Sequence, residues 1–523
     1  MRLDDLIYLL PELVLLVAAA LVFVLHLLRP GPAEYPGPLV PPVGAHTGVR
    51  PVSKGWLPYV ALGSLGLAAL AIIPASKAVF GAGGAPRIVA TMLVADPLTI
   101  FFTLLALIGV AIVILGAIPY MRGRTPYTGE FYALLLVVAL AVCLAVSATN
   151  LVMIYLSIEF LSITSYVLVG YLRQDRKSGE AAIKYFLYGS VASAVMLYGM
   201  SLLYGATGTT DLNGVAQALA GGSGKELTWL TVPAIVLLLV GFGFKASLVP
   251  FHQWVPDTYE GAPTPVTAFL STVSKAAGFA ILIRVLLVAL GSAQPQWMAL
   301  LVVISIVTMT VANLTALRQT NVKRLLAYSS IAQAGYILIG LAAVWSDPTS
   351  AFTGINGVLI YLFAYLFANI GAFTVVAAIE IATGKTELSD YAGLVKRAPW
   401  LASLLFVFLL SLAGIPPTGG FIGKFFVFGA AVQRQQWLLV AFAAVNTVVA
   451  AFYYLNVVRY MFLMPEQEGT LRMGEENRPI SVARPLGGAL AVTALITLLL
   501  GLAPGPLIAW ASTSAQAFLS ALP

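Results

Sequence analysis

The chain has 523 residues, 60% hydrophobic and 9% charged, with a mean hydropathy of +0.95; a soluble globular domain carries roughly a quarter charged residues. Its net charge of +7 is dispersed among loops, which excludes a nucleic-acid-binding patch. One cysteine (Cys143) and three scattered histidines (His26, His46, His252) exclude an internal disulfide, a bis-histidine haem and an iron–sulfur cluster with its roughly four thiolates, and no Gly-rich phosphate loop stands in a strand–helix context.

Apolar stretches recur at about 6–28, 57–80, 97–119, 129–147, 149–171, 182–207, 228–255, 263–290, 297–317, 323–345, 354–383, 398–433, 437–464 and 483–510. Each is long enough to cross ~30 Å of hydrocarbon as a helix, and none alternates as barrel strands do. The expected fold is therefore an all-α polytopic membrane protein with about fourteen transmembrane helices. The first stretch is expected to stay in place, because Met1-Arg-Leu-Asp-Asp5 is not a basic leader and the apolar run behind it is too long for a signal peptide. Residues 29–56 read as a Pro-rich extended connector, and 465–482 as a charged loop, either solvated or facing a neighbouring subunit.

Lysine and arginine gather in alternate loops: Arg29, Arg50 and Lys54, then Arg122 and Arg124, Arg173, Arg176 and Lys177, Arg318, Lys323 and Arg324, Lys385, Lys396 and Arg397, and finally Arg472, Arg478 and Arg484. The opposite loops hold only Arg2, Lys77, Arg87, Lys225 and Arg434. By the positive-inside rule both termini are expected on the external side.

Subtracting loop charges leaves Glu159, Lys184, Lys245, Lys275, Arg284, Glu380, Lys424 and Arg459 inside apolar stretches, with His252 beside a break. A central lysine costs roughly 2.5–3.5 kcal/mol to insert, so it calls for a task or a partner. Glu159, near the middle of the fifth span, suits either a protonated carboxyl or a carboxylate paired with a buried lysine. Glu180 and Lys184 stand i, i+4, a favourable helical ion pair, although Lys184 is also near enough to the interface to snorkel. Arg284, Glu380 and Arg459 lie nearer span ends and read as snorkelers or structural pairs.

Lys245 precedes Pro250, and Lys424 follows Pro416-Pro417-Thr-Gly-Gly420. Both spans are too long for one straight crossing, and discontinuous helices of this kind can hold an ion or water at mid-membrane. They stand five spans apart, which suggests two inverted five-helix repeats: 129–290 (helices 4–8) and 297–464 (helices 9–13), with residues 1–128 before them and residues 465–523 after. Lys275, central in the eighth span among Ser274, Ala276, Ala277 and Gly278, lies between the two breaks in chain order. Amines withheld from bulk water load and release protons readily. Tyr336, Tyr361 and Asn369 could bridge water chains or simply pack.

Four blocks carry a resemblance: SGEAAIKYFLYGSVASAVMLYGMSLLYGATGT (178–209), FKASLVPFHQWVPDTYEGAPTPVTAFLSTVSKAAGFA (244–280), VKRLLAYSSIAQAGY (322–336) and YAGLVKRAPWLASLLFVFLLSLAGIPPTGGFIGKF (391–425). They resemble the antiporter-like membrane subunits of respiratory complex I, over nearly the whole chain. The resemblance implies fourteen helices, with helices 7 and 12 broken. It also implies proton-transfer roles for Glu159 paired with Lys245, for Lys275 joining two half-channels, for Lys424 and His252 at the breaks, and for the Glu180–Lys184 pair. No cofactor is then expected in this chain; NADH, FMN, iron–sulfur clusters and quinone would belong to partner subunits. The expected partners are other complex I membrane-arm subunits and membrane lipids, in a bacterial inner membrane. Multisubunit Na+/H+ antiporters and membrane-bound hydrogenases share the 244–280 pattern, and a stand-alone secondary transporter would show similar repeats.

Overall fold

A computed structural model of the chain describes residues 3–28, 55–221, 228–344, 347, 350–465 and 480–522. The Pro-rich connector and most of the charged loop expected from the sequence lie outside the described residues. Helix 1 (Leu10–Leu27), helix 2 (Leu57–Gly81), helix 3 (Pro97–Met121), helix 4 (Thr128–Ser147), helix 5 (Leu151–Val169) and helix 6 (Arg176–Thr207) follow in chain order, the last four with short connections between them. Helix 7 comes in two pieces, 7a (Thr228–Ala246) and 7b (Trp254–Gly261). Helix 8 (Thr264–Ala289), helix 9 (Gln294–Ala316), helix 10 (Val322–Ala342) and helix 11 (Ile355–Thr383) come next. Helix 12 is again two pieces, 12a (Pro399–Ala413) and 12b (Gly419–Gln433), before helix 13 (Trp437–Phe462) and helix 14 (Arg484–Leu502).

Among the described residues thirteen helices are long and apolar enough to cross a membrane, and the two halves of helix 12 supply the fourteenth crossing. The chain is a multi-pass membrane protein. Three features were not expected. The last apolar stretch, read as one span over 483–510, is two helices, because Pro504 starts a separate one at Gly505–Ser520 that packs on helices 3 and 11. A short amphipathic helix, Leu212–Gly221, follows helix 6, and a two-stranded hairpin joins Arg87–Val89 to Leu93–Ala95.

Burial marks the core. In helices 8, 10 and 11, 94% of the most apolar window is enclosed by protein, against 28% in helices 1 and 14; the former three are central and the latter two peripheral. Helices hydrophobic all round are what such a centre requires.

The inverted repeat is written in backbone contacts. Asn150 caps helix 5, accepting from Val152 N at 2.9 Å, and its Nδ2 donates to Thr210 Oγ1 at 2.9 Å. Leu151 N bonds Thr210 O, and Leu212 N bonds Thr149 O. Asn321 caps helix 10 in the same way: it accepts from Arg324 N and donates to Thr386 Oγ1 at 2.9 Å, while Val322 N bonds Thr386 O and Leu388 N bonds Thr320 O. Thr-Asn-aliphatic meets Thr-acid-Leu in both places. Five crossings separate the two anchors, so they lie at opposite membrane faces. The breaks repeat as well: Ser247 (φ 64°) and Gly414 (φ 83°) take the left-handed conformation, each three residues before a proline, Pro250 or Pro417.

Candidate functional site

At the first break the backbone is satisfied locally, as apolar surroundings demand. Trp254 Nε1 donates to Phe244 O at 3.2 Å, Leu248 N to Gly243 O at 2.7 Å, and Val249 N to Thr308 Oγ1 at 3.1 Å. The Trp254 ring stacks on Tyr185, centroids 4.3 Å apart, which locks 7b against helix 6. Lys245 in the last turn of 7a is 2% exposed, and its Nζ donates to Ser162 Oγ at 3.1 Å. Glu159, one turn earlier on helix 5, does not close the contact anticipated from the resemblance: its Oε1 is buried with no hydrogen-bond partner. Tyr185 Oη, Ser247 Oγ, His252 Nδ1, Thr258 Oγ1 and Tyr259 Oη are buried and unpartnered too. Buried polar atoms are almost always satisfied, so a cluster of six around one break is a place for water.

Above 7b lies a charged mouth. Lys184 Nζ binds Glu180 Oε1 at 2.6 Å, the expected i, i+4 pair, and Asp257 Oδ2 at 2.8 Å. Arg324 of helix 10 reaches Asp257 Oδ1 at 2.5 Å and Glu260 Oε2 at 3.3 Å, and Lys177 holds Glu260 Oε1 at 3.1 Å. These groups line a recess of about 290 Å³. Sequence reasoning missed Asp257 and Glu260, and it assigned Arg324 to a loop; the available signal was two acids i, i+3 on a helix piece of only eight residues.

Lys275 is fully buried on helix 8, directly after a widened π turn at Leu270–Ser274. Its Nζ donates to both O and Oγ of Ser330, each at 2.6 Å, and Tyr365 Oη shares that hydroxyl at 2.9 Å. The small residue Gly278 lets helix 8 meet the first break: a Cβ there would stand 3.2 Å from Ala246 N and 3.4 Å from Lys245 Cβ. Tyr259 lies between Ser247 and Ser330, although its hydroxyl closes a hydrogen bond to neither.

At the second break Lys424, 4% exposed, folds back so that Nζ donates to Ala413 O at 2.8 Å and sits 4.5 Å from the centre of the Tyr336 ring. Gly414 is required twice over, by its φ and because a Cβ would stand 2.6 Å from Lys424 Cδ. Tyr361 donates to Gln333 Oε1, Gln333 Nε2 donates to Leu412 O at 2.7 Å and to Tyr454 Oη at 3.1 Å, and Tyr454 pairs with Ser329 Oγ at 2.5 Å. Asn313 links Tyr336 Oη, Tyr453 Oη and Asn446. Tyr336, Tyr361 and Asn369, left open between wetting and packing, each make a buried hydrogen bond, Asn369 to Ser271 Oγ at 2.7 Å.

The remaining charges separate into three kinds. Arg284, anticipated near a span end, is 2% exposed and grips Asp96 with two bonds of 2.9 and 2.8 Å, adding Thr99 Oγ1 at 2.6 Å and Val146 O at 2.7 Å. Glu380 accepts from Tyr120 Oη at 2.8 Å and from Thr264 Oγ1, with Arg124 at 3.7 Å. Both are structural pairs. Arg459 is exposed on helix 13 and free to snorkel. Lys323, read as a loop charge, is 3% exposed and donates to Ala262 O at 2.8 Å.

A family model described as NADH:quinone oxidoreductase/Mrp antiporter, TM, matches residues 148–450. The NADH-quinone oxidoreductase subunit N of Desulfitobacterium hafniense is 42% identical over 478 residues, 89% of this chain and 93% of that one. A chain of respiratory complex I from Thermus thermophilus superposes with a TM-score of 0.73 at 32% identity, over 95% of this chain and 98% of that one. A chain of the Mrp complex from Dietzia sp. superposes at 0.80 with 22% identity, over 100% and 99%, a likeness of fold.

Proposed function

The chain belongs to the NADH:quinone oxidoreductase/Mrp antiporter transmembrane family, and from that premise we propose that it is a proton-translocating membrane-arm subunit of an NADH:quinone oxidoreductase. One observation carries the reading: three buried lysines mark the two helix breaks and the centre, and polar side chains fill the intervals between them. Protons enter at the Lys184–Asp257–Arg324 mouth and reach the water-seeking cluster around Glu159, His252 and Lys245. They pass by way of Tyr259 and Ser330 to Lys275, and leave through Lys424.

The input is conformational and electrostatic. Electron transfer in other subunits changes the charge next to this chain, and that change closes or opens the Glu159–Lys245 contact. Closing it stabilises the ammonium, while opening it leaves a charge in low dielectric and drives the proton toward Lys275. Ser162, which holds Lys245 when Glu159 is apart, is the resting acceptor. The redox groups, nicotinamide, flavin, iron–sulfur clusters and quinone, are assigned to partner subunits, and no step passes through them here. Cys143, the one cysteine in the sequence, is buried in helix 4. We place the chain in a bacterial inner membrane with both termini outside: an even number of crossings returns it to its starting face, and the charged mouth then opens on the cytoplasmic side.

The test is Lys245→Ala in the assembled enzyme in membrane vesicles. Proton uptake and quinone reduction are expected to fall together. Wild-type values for both would refute the route.

A further inference from the structure

The repeat register exposes an asymmetry. Glu159 lies nine residues after Asn150, and Ser330 nine after Asn321; Ser162 and Gln333 each lie twelve after. Lys245 is two residues before Ser247, and Leu412 two before Gly414. In the first half a lysine ammonium therefore donates to Ser162, whereas at the equivalent place in the second half the amide of Gln333 donates to the carbonyl of Leu412. A neutral clamp occupies the position of a charged contact.

Gln333 is also where the hydrogen-bonded side chains between Lys275 and Lys424 converge. It is 1% exposed. Leu412 offers only a carbonyl, so the nitrogen end must face it. Nε2 spends both hydrogens, on Leu412 O and Tyr454 Oη, and Oε1 accepts from Tyr361. On one side Tyr454 leads to Ser329, the neighbour of Ser330 that holds Lys275. On the other, Lys424 grips Ala413 O, the carbonyl next to the one Gln333 holds. An amide with both donors engaged, and with no titration near neutral pH, interrupts a proton relay instead of extending it.

We propose that Gln333 is the valve of the second half: while it clamps Leu412 O it blocks proton passage from Lys275 to Lys424, and its release from that carbonyl opens the route. Release frees the Leu412 carbonyl and the Tyr361 and Tyr454 hydroxyls to take up water. A proton then leaves the Lys275 ammonium and arrives on a neutral Lys424 amine, with no other bond changed. Gln333 is thus a positioning residue, and the inference rests on the reading that these lysines move protons.

The two near-isosteric variants of Gln333 are expected to separate in the decay of an imposed pH difference. Gln333→Glu puts a titratable group in the gap, so an imposed pH difference across vesicles holding the assembled enzyme should decay several-fold faster than wild type, with fewer protons moved per NADH oxidised. Gln333→Leu removes the clamp but fills the gap with apolar atoms that keep water off the Leu412 carbonyl, so the proton yield should fall with no faster decay. A merely structural role would move the decay in both variants the same way. Wild-type decay and yield in both, while Lys245→Ala still lowers the yield, would overturn the valve alone; a wild-type yield in Lys245→Ala removes the underlying reading and the valve with it. If either Gln333 variant fails to accumulate in membranes, Tyr361→Phe keeps the ring and drops the hydroxyl that holds Oε1. Its decay should be intermediate, and wild-type decay there counts against the valve.

Discussion

The two broken helices share a backbone device and differ in chemistry. Each unwinds through a left-handed residue three before a proline, at Ser247 and Gly414. Around the first stand six buried polar atoms without partners, whereas the second is knitted shut by Gln333, Tyr361, Tyr454 and Lys424. The charged positions are not equivalent either: Lys245 precedes its break and corresponds to Leu412, while Lys424 follows its break and corresponds to Asp257. The two halves share the hinge and differ in polar lining, and on the route proposed above the first is the half that loads protons and the second the half that releases them.

Exchanging features between the halves tests that contrast, beginning with the largest effect. Gly420 and Gln253 are equivalent, but a Cβ at 420 would collide with Ser411 O while Gln253 is exposed. Gly420→Ala should cost roughly 3 kcal/mol through overpacking, and Gln253→Ala no more than about 0.5 kcal/mol; the amount of chain retained in membranes reads the difference. Lys245→Leu makes the first break resemble the second. It should slow proton-coupled quinone reduction about tenfold, equivalent to ~1.4 kcal/mol in the barrier, whereas Leu412→Met should leave the rate within twofold. Tyr336→Leu removes the ring beside Lys424 and the hydroxyl that accepts from Asn313, and should lose about 1 kcal/mol, seen as a lower midpoint in thermal denaturation of the purified complex. Ser247→Gly relieves a left-handed serine and should stabilise the chain by about 0.5 kcal/mol, read as a slightly higher midpoint.

Hydropathy and helix-breakers were enough to read the crossings, the two breaks and the three central lysines, because membrane insertion constrains composition one helix at a time. Pairings that close across the bundle were not legible. Arg284 and Asp96 are 188 residues apart, and nothing local in the TMLVADPLT segment marks its aspartate as the partner of a helix-8 arginine. Lys323 and Arg324 looked like loop charges because they occupy the first turn of helix 10, where only tertiary packing decides whether an amine faces water or Ala262 O. Gln333 went unremarked for a different reason: a neutral side chain does not stand out by its insertion cost, and its importance lies in where its neighbours put it. The expected Glu159–Lys245 contact was legible as residues but not as geometry, since Ser162 competes for the same amine.

The π turn at Leu270–Ser274 bears on how Lys275 keeps its aim. A turn of this kind is one residue wider than its α-helical neighbours, so the helix beyond it is rotated by about 100° from where regular winding would leave it. Point substitutions leave that phase intact. Removing one residue from the segment lets it rewind as ordinary α-helix with the Lys275 ammonium still aimed at the Ser330 oxygens, whereas a residue inserted elsewhere between Thr264 and Lys275 swings the ammonium round the helix axis. A one-residue deletion within 270–274 should therefore be the best tolerated length change in helix 8.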